Sequence, residues 1–430
     1  MMIPRLRAVA GGLATLAVVA SGGLALAQPI ILPSVVATHP ATFTPNVESD
    51  AVVGHPAVYA LKQLGSTMFA GGTFHTVDDA NRANPVTRTN LFSFDATLGA
   101  ISSFAPNIDG SVWAIETDPA TNSVWVGGFF KNVNGVSRNG IAKFNATTGV
   151  LDPTFKSTAV AGPVTEIRLV NGRLIVGGNF SNKLVALNPS TGANTGYINL
   201  SITGQVSSSA GTTKVYRFAV NPAGTRLVGV GNFTSIGGQH RYRAFMLDLP
   251  TSGSATVDPW YYQPLDNMCA AASLAAYLRD VDFSSDGSWF VIDATGYVPQ
   301  TGGVGRDICD AAARFETDIK SPTRPTWINY TGGDTLHSVA ISGSVVYVQG
   351  HQRYLDNPLG RDFCGTGCAP RPGIGAIDAT SGKALSWNPT KTRGVGGKDL
   401  LVTPAGLWVA SDGAQYNYKY HHGIAFAPEQ

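Results

Sequence analysis

Short runs of β-branched and aromatic residues recur along the chain, separated by clusters of Gly, Asn, Asp, Ser and Pro. Such a pattern predicts strands joined by tight turns. One unit repeats. A small apolar strand is followed by Asp or Asn and then a Thr/Ser–Gly turn, as in LFSFDATLG, IAKFNATTG, LVALNPSTG, AFMLDLPTSG, ARFETD and IGAIDATSG, with GIAF as a seventh copy. The last apolar residues of these strands are Phe94, Phe144, Leu187, Leu247, Phe315, Ile377 and Phe426, spaced 43 to 68 residues apart. Asp or Asn before Gly closes a tight turn, because the side chain accepts local backbone hydrogen bonds and Gly takes a positive φ.

Each copy is preceded by a strand such as SVWVGGFF or RLIVGGNF, and before that by another such as VWAIETD or LHSVAIS. A fourth segment with an aromatic residue near a proline follows each turn, as in ISSFAPNID and ALSWNPT, with GYINLSI a weaker form. Four strands in each of seven units predict an all-β, seven-bladed β-propeller. The seventh unit ends at GIAFAPEQ without a fourth strand, whereas Phe43-Thr-Pro-Asn-Val near the start aligns with Phe104-Ala-Pro-Asn-Ile. An N-terminal strand is therefore expected to complete the last blade and close the ring, protecting edges that would otherwise be exposed. The glycine pair in VWVGGFFKNVNG recurs as FAGGTF and IVGGNF. A phosphate-cradling loop is expected once and needs a Lys and a helix start. A repeated pair instead predicts room for close strand packing or a bulge. The segment MCAAASLAAYL is expected to form a short helix.

The motif GG-x-F…V-x-G…R-x-x-I-A-x-F-x-x-x-T-G…F, clearest in VGGFFKNVNGVSRNGIAKFNATTGVLDPTF, resembles the delta-60-type repeat of secreted bacterial β-propellers. The resemblance implies the architecture over residues 40–430 and says little about function.

Residues 1–27 read as a secretion signal. Arg5 and Arg7 precede the apolar run Leu13 to Leu26, and Ala25 and Ala27 fit a small-residue cleavage site. Residues 28–39 are expected as a linker and 40–430 as a single propeller domain, secreted and without a membrane segment after signal removal. Charged residues make up 13% of the chain, about half the usual share. Thirty basic residues less Arg5 and Arg7 leave 28 against 28 acidic. A neutral mature chain argues against nucleic acid as a partner. In an oxidising compartment the four cysteines suggest two disulfides, and sequence proximity favours Cys269–Cys309 and Cys364–Cys368. Zinc is a poor match, because C-x₃-C has no nearby His.

All four cysteines and the long loops, such as VPQTGGVGRDICDA and RYLDNPLGRDFCGTGCAPRP, fall on one face. Loops on a rigid scaffold are where binding resides. Two rows of innermost-strand residues are candidates for the axial channel. One is Tyr59, Trp113, Thr165, Tyr216, Arg279, His337 and Lys398. The other contains Glu166, Arg217, Asp280, Ser338 and Asp399. Strand alternation lets only one of the two face a given side. Candidate acid/base groups are Glu166, Asp280, His337 and Asp399. Candidate ligand contacts are Arg217, Arg279, Lys398, Tyr416, Tyr418 and His421. Pairing of the channel charges with one another is the alternative. Phe104, Phe155, Trp260, Trp327 and Trp387 recur so regularly that packing between blades is expected. Arg88, Arg138, Arg243 and Arg371 are expected as repeat-encoded hydrogen-bonders. No nucleophile elbow, metalloprotease helix, P-loop or calcium-loop spacing is present, and neither a metal nor a cofactor is expected. The leading expectation is a secreted binding module for a glycan, cell-envelope component or protein. The competing one is an extracellular hydrolase or lyase with its site at the channel mouth.

Overall fold

A computed structural model describes residues 30–206, 211–271 and 273–430. The expected secretion signal lies outside them. Among the described residues the chain is all-β, with one 3-10 turn at Gln263–Asp266. No helix there is long and apolar enough to cross a membrane.

Seven main antiparallel sheets share one layout. Their innermost strands are Ala57–Leu64, Ser111–Asp118, Val164–Val170, Lys214–Val220, Leu278–Phe283, Leu336–Ser342 and Gly397–Thr403. Each pairs with the strand after it, which pairs in turn with the apolar repeat strand, as in Ser111–Asp118, Ser123–Phe129 and Ile141–Asn145. Each innermost strand packs against the next, and Gly397–Thr403 packs against Ala57–Leu64. Apolar side chains fill the space between neighbouring sheets; Val47, Val58, Trp408 and Phe426 share one such cluster.

The repeat turns form as their sequence dictates. Asn145 Oδ1 accepts the N–H groups of Thr147 and Thr148 at 3.1 and 2.9 Å, and Gly149 takes φ of 70°. Asp95, Asn188 and Asp378 do the same.

The fourth segment departs from expectation. It is a strand in only two sheets, Thr256–Val257 and Trp327–Tyr330. In four others it shrinks to one bridge: Phe94 with Ile101, Phe144 with Leu151, Leu187 with Asn194 and Ile377 with Ala384. The aromatic residues of these segments are buried as expected: Phe104, Phe155, Trp260, Trp327 and Trp387.

At the N-terminus, Ala37 and Ala41 N–H donate to Pro428 and Phe426 O at 2.8 Å each, beside the last strand. Phe43 packs on Trp408 and Phe426. It sits over Gly99 of the first repeat turn as Phe104 sits over Gly149 of the second. Regular strand pairing, however, joins Asn46–Glu48 to Thr76–Asp78, which with Val86–Thr87 forms a separate small sheet on the long loop of the first unit. Pro45 supplies no donor toward the last strand. The stretch expected as a linker lies against the sixth sheet. Leu32 N–H donates to Ser342 Oγ at 2.8 Å, Val36 N–H to Tyr347 Oη at 3.1 Å, and both side chains are buried.

Two expectations are corrected locally. The described part of MCAAASLAAYL forms a bridge and turns rather than a helix. The Cys269–Cys309 bond and Arg243 hold it extended: Arg243 donates to the carbonyls of Leu265 and Asn267. Arg243 therefore does not play the repeat role. That role falls to Arg88, Arg138, Arg241 and Arg371, which donate to the carbonyls of Ser102, Asp152, Asp258 and Leu385.

Candidate functional site

Every innermost strand breaks register at the same place. Pairing skips a residue between Val58 and Ala60, Val112 and Ala114, Val164 and Glu166, Val215 and Arg217, Leu336 and Ser338, and Gly397 and Asp399. In the fifth strand it skips from Leu278 to Val281. The skipped residues are Tyr59, Trp113, Thr165, Tyr216, Arg279 with Asp280, His337 and Lys398. A bulge lets two successive residues lean to the same side of a strand. Both candidate rows therefore reach the axis, which corrects the expectation that only one could. In five of the seven sheets a glycine faces the bulge. A Cβ on Gly72, Gly128, Gly178, Gly231 or Gly350 would collide with a carbonyl at or just before the start of the innermost strand, whereas Ala294 and Ser411 take that place in the fifth and seventh sheets.

The first row lines a cavity of about 340 Å³ together with Pro163, Asn179, Lys214, Arg217 and Gly397. It opens at the leading ends of the innermost strands, the side onto which the long loops project. Tyr216 and Tyr277 stack with centroids 4.6 Å apart. Lys214 Nζ lies 4.6 Å and the Arg279 guanidinium 5.1 Å from the Tyr216 ring centroid, and Lys398 Nζ lies 5.7 Å from that of Tyr59. Arg279 Nη2 donates to His337 Nδ1 at 2.8 Å, and Nη1 donates to Tyr277 Oη at 3.2 Å. Burial, then the charges of Arg279 and Lys398, push the His337 pKa well down, so the ring is neutral and accepts that bond. Burial and the nearby Arg279 also lower Lys214. Lys398 is lowered by burial and Arg279 against the opposing pull of Asp412.

The second row lies deeper, and its carboxylates hold sheets together. Glu166, 2% exposed, pairs with Arg168 in its own strand and with Arg217 in the next sheet, the latter at 2.7 Å. Asp280 Oδ2 accepts Val339 N–H at 3.0 Å and Asp399 Oδ2 accepts Leu61 N–H at 2.9 Å, each across a sheet boundary. Asp282 Oδ2 accepts Ile341 N–H at 2.8 Å likewise. These aspartates are half-buried, and the desolvation raises them: Asp282 to about 6, and Asp280 and Asp399 upward in spite of Arg217. Asp293, buried behind Asp280, is raised by burial and by that neighbour.

The structure brings Arg217, Arg279, Lys398 and His337 into one cavity and separates the remaining candidates from it. Tyr416 is 1% exposed and packs among Tyr347, Trp387 and Val409, so it is a core residue rather than a ligand contact. His421 is buried with Nδ1 2.9 Å from Thr44 Oγ1, and burial lowers its pKa to about 4. It too is a packing group. Tyr418 is 78% exposed at the tip of the hairpin Gln415–Tyr420. Cys269 pairs with Cys309 and Cys364 with Cys368, at Cα separations of 5.9 and 5.6 Å. The first bond ties the lead-in to the fifth innermost strand to its long loop.

A family model described as a domain of unknown function (DUF5122) beta-propeller matches residues 121–155. These span the second repeat strand to the buried Phe155. No curated protein sequence matches. Among solved structures, hydrazine synthase of Kuenenia stuttgartiensis is similar at a TM-score of 0.50 and 11% identity, covering 84% of this chain and 94% of that one. The computationally designed Ika8 protein is similar at a TM-score of 0.46 and 11% identity, covering 89% and 98%. The chain is a β-propeller in fold, and likeness at this identity says nothing of its chemistry.

Lys214 and Asn179 are cavity residues that the repeat pattern missed, and Tyr277 stands behind the cavity wall against Tyr216. Lys214 stands two positions before Tyr216 in one strand, and Asn179 follows a glycine pair in the repeat, as Thr73 and Phe129 do; both were usable signals. Tyr277 precedes its strand, and no aligned column marks it.

Proposed function

We propose that the protein is a secreted, non-enzymatic binding module: a seven-bladed propeller of delta-60-type repeats, residues 40–430, released from a signal at 1–27. The seven main sheets, and the contact between the first and the last, support the blade count. The N-terminal stretch beside Phe426 supports closure by the chain start. Two cysteine pairs suit an oxidising compartment. The ligand, a glycan, cell-envelope component or protein, binds at the channel mouth on the loop side. The carrying observation is that the seven first-row residues, one from each bulge, line one open cavity.

The hydrolase or lyase reading has less to rest on. Glu166, Asp280 and Asp399 are committed to bonds between sheets, and neutral His337 is committed to Arg279. The test is binding of residues 28–430 to a glycan and cell-wall panel, with turnover measured in parallel. Binding that Trp113→Ala and Arg279→Ala abolish without unfolding, and without product, is expected. Product formation that Asp280→Ala or His337→Ala abolishes would overturn the proposal.

A further inference from the structure

We infer that the channel mouth binds an anionic sugar residue, a single ring bearing a carboxylate or a phosphate; this rests on the reading of the mouth as the ligand site.

The charge at the mouth is one-sided. Lys214, Arg279 and Lys398 converge on it, and no Asp or Glu lines it. Among the described residues none of the three forms an ion pair, whereas Arg314, Arg353 and Arg393 elsewhere all do. Asp412, the carboxylate acting on Lys398, accepts the N–H groups of Val395 and Gly396 instead. Tyrosine faces and a neutral imidazole hold the cations in place. Such partners stabilise a cation without cancelling its charge. The repulsion among the three is therefore left for a ligand to relieve, and an anion does so. Their lowered lysine pKa values report that same repulsion and desolvation.

Size and polarity point to a sugar. A volume of about 340 Å³ stands at the low end of small-molecule sites, roughly 300–1,000 Å³. It admits a ring or a chain end and excludes a folded partner. Tyr59, Asn179 and Trp113 all line the cavity and bring a hydroxyl, an amide and an indole N–H. They make no hydrogen bond with any described residue, so they remain for hydroxyl groups. Trp113 is braced by Phe129 in a parallel stack at 6.1 Å, giving the mouth a rigid flat wall.

The test is calorimetric titration of residues 28–430 with digalacturonate and with glucose 1-phosphate. Cellobiose and inorganic phosphate serve as comparators, at low and high salt. The acidic sugars should bind at least about tenfold more tightly than cellobiose, weaken with salt, and lose about tenfold or more in Lys398→Met and Lys214→Met. The tighter of the two acidic arms identifies the anionic group. Melting temperature should not fall in either variant, because neither lysine has an ion pair to lose and each removal lessens the repulsion. If Lys398→Met fails to fold, Lys214→Gln at the strand's first residue reads the same charge. Equal binding of cellobiose at the mouth overturns the anion inference and leaves the site standing. Inorganic phosphate binding as tightly as glucose 1-phosphate overturns the sugar inference. Binding of no sugar, or sugar binding indifferent to the mouth variants, overturns the inference together with the site reading.

Discussion

At the scale of the residue, the repeated glycine pair has two separate jobs. A Cβ on Gly127 would strike Val164 and Ile167 of the next sheet, whereas one on Gly128 would strike the Ser111 carbonyl of its own sheet. The first glycine sets the distance between sheets; the second seats the bulge that turns Trp113 to the axis. Gly127→Val and Gly128→Val should each cost about 1–3 kcal/mol through overpacking. Denaturant midpoints with an unchanged slope would measure this, with Gly54→Ala as a control because a Cβ there meets nothing within 4 Å. Unaltered midpoints would refute the packing account. The glycine pair was legible in the sequence because it recurs. Its double role was not, because the two colliding partners lie on different strands. Arg241 was legible as well: it stands six residues before Leu247, as Arg88, Arg138 and Arg371 stand before Phe94, Phe144 and Ile377, and it reaches the repeat carbonyl at Asp258, whereas Arg243, two positions later, does not.

At the scale of the element, the outer segments and the chain start carry the interest. The N-terminal stretch reaches the last strand through Ala37 and Ala41, and its Phe43 fills the place over a repeat turn that Phe104 fills elsewhere. Deleting residues 40–48 removes buried Val47 and half-buried Phe43 and bares the edge at Ile424–Pro428. The melting temperature should fall by several degrees, and a silent deletion would show that the chain start is not part of the core. The disulfides offer a graded test. Cys269–Cys309 spans 40 residues and Cys364–Cys368 spans four. Loop-closure entropy assigns them about 4 and about 2 kcal/mol. Ser substitution of both cysteines in each pair should therefore lower stability more for the first. The reverse order would mean that native packing, not chain entropy, decides. The alignment of FTPNV with FAPNI made the N-terminal placement legible. The reduction of four fourth segments to a bridge was not, because strand and bridge segments carry the same local pattern, as LDP at Leu151 and VDP at Val257 show.

At the scale of the whole molecule, the axis concentrates carboxyls whose ionisation opposes folding. Burial raises Asp282 to about 6 and raises Asp280, Asp293 and Asp399 as well; away from the axis, beside Thr335, it raises Asp310 to about 8. An unfolded Asp titrates near 3.9. A group raised in the folded state contributes stability that is complete below that value and is lost as pH climbs through its folded pKa. Histidines lowered by burial, His337 and His421 among them, act with the opposite sign below about pH 6.5. Melting temperature should thus decline from about pH 6.5 to about pH 8, and Asp282→Asn should change the slope at the lower end of that window. Asp50, lowered chiefly by its bond from Thr76, acts with the opposite sign and only below that window. A melting temperature rising through the window would contradict the assignment. By itself the sequence determined the repeat, the all-β class, the cysteine pairs and the column that holds Tyr59, Trp113, Tyr216, Arg279, His337 and Lys398, because each is written in local spacing. The tertiary structure alone decided that two adjacent columns both face the axis, that the carboxylates of one are consumed in bonds between sheets, and that three cations of the other stand without a counter-ion. Bulge geometry and cross-sheet distance govern those outcomes, and both arise only when strands far apart in the chain are brought around a common axis.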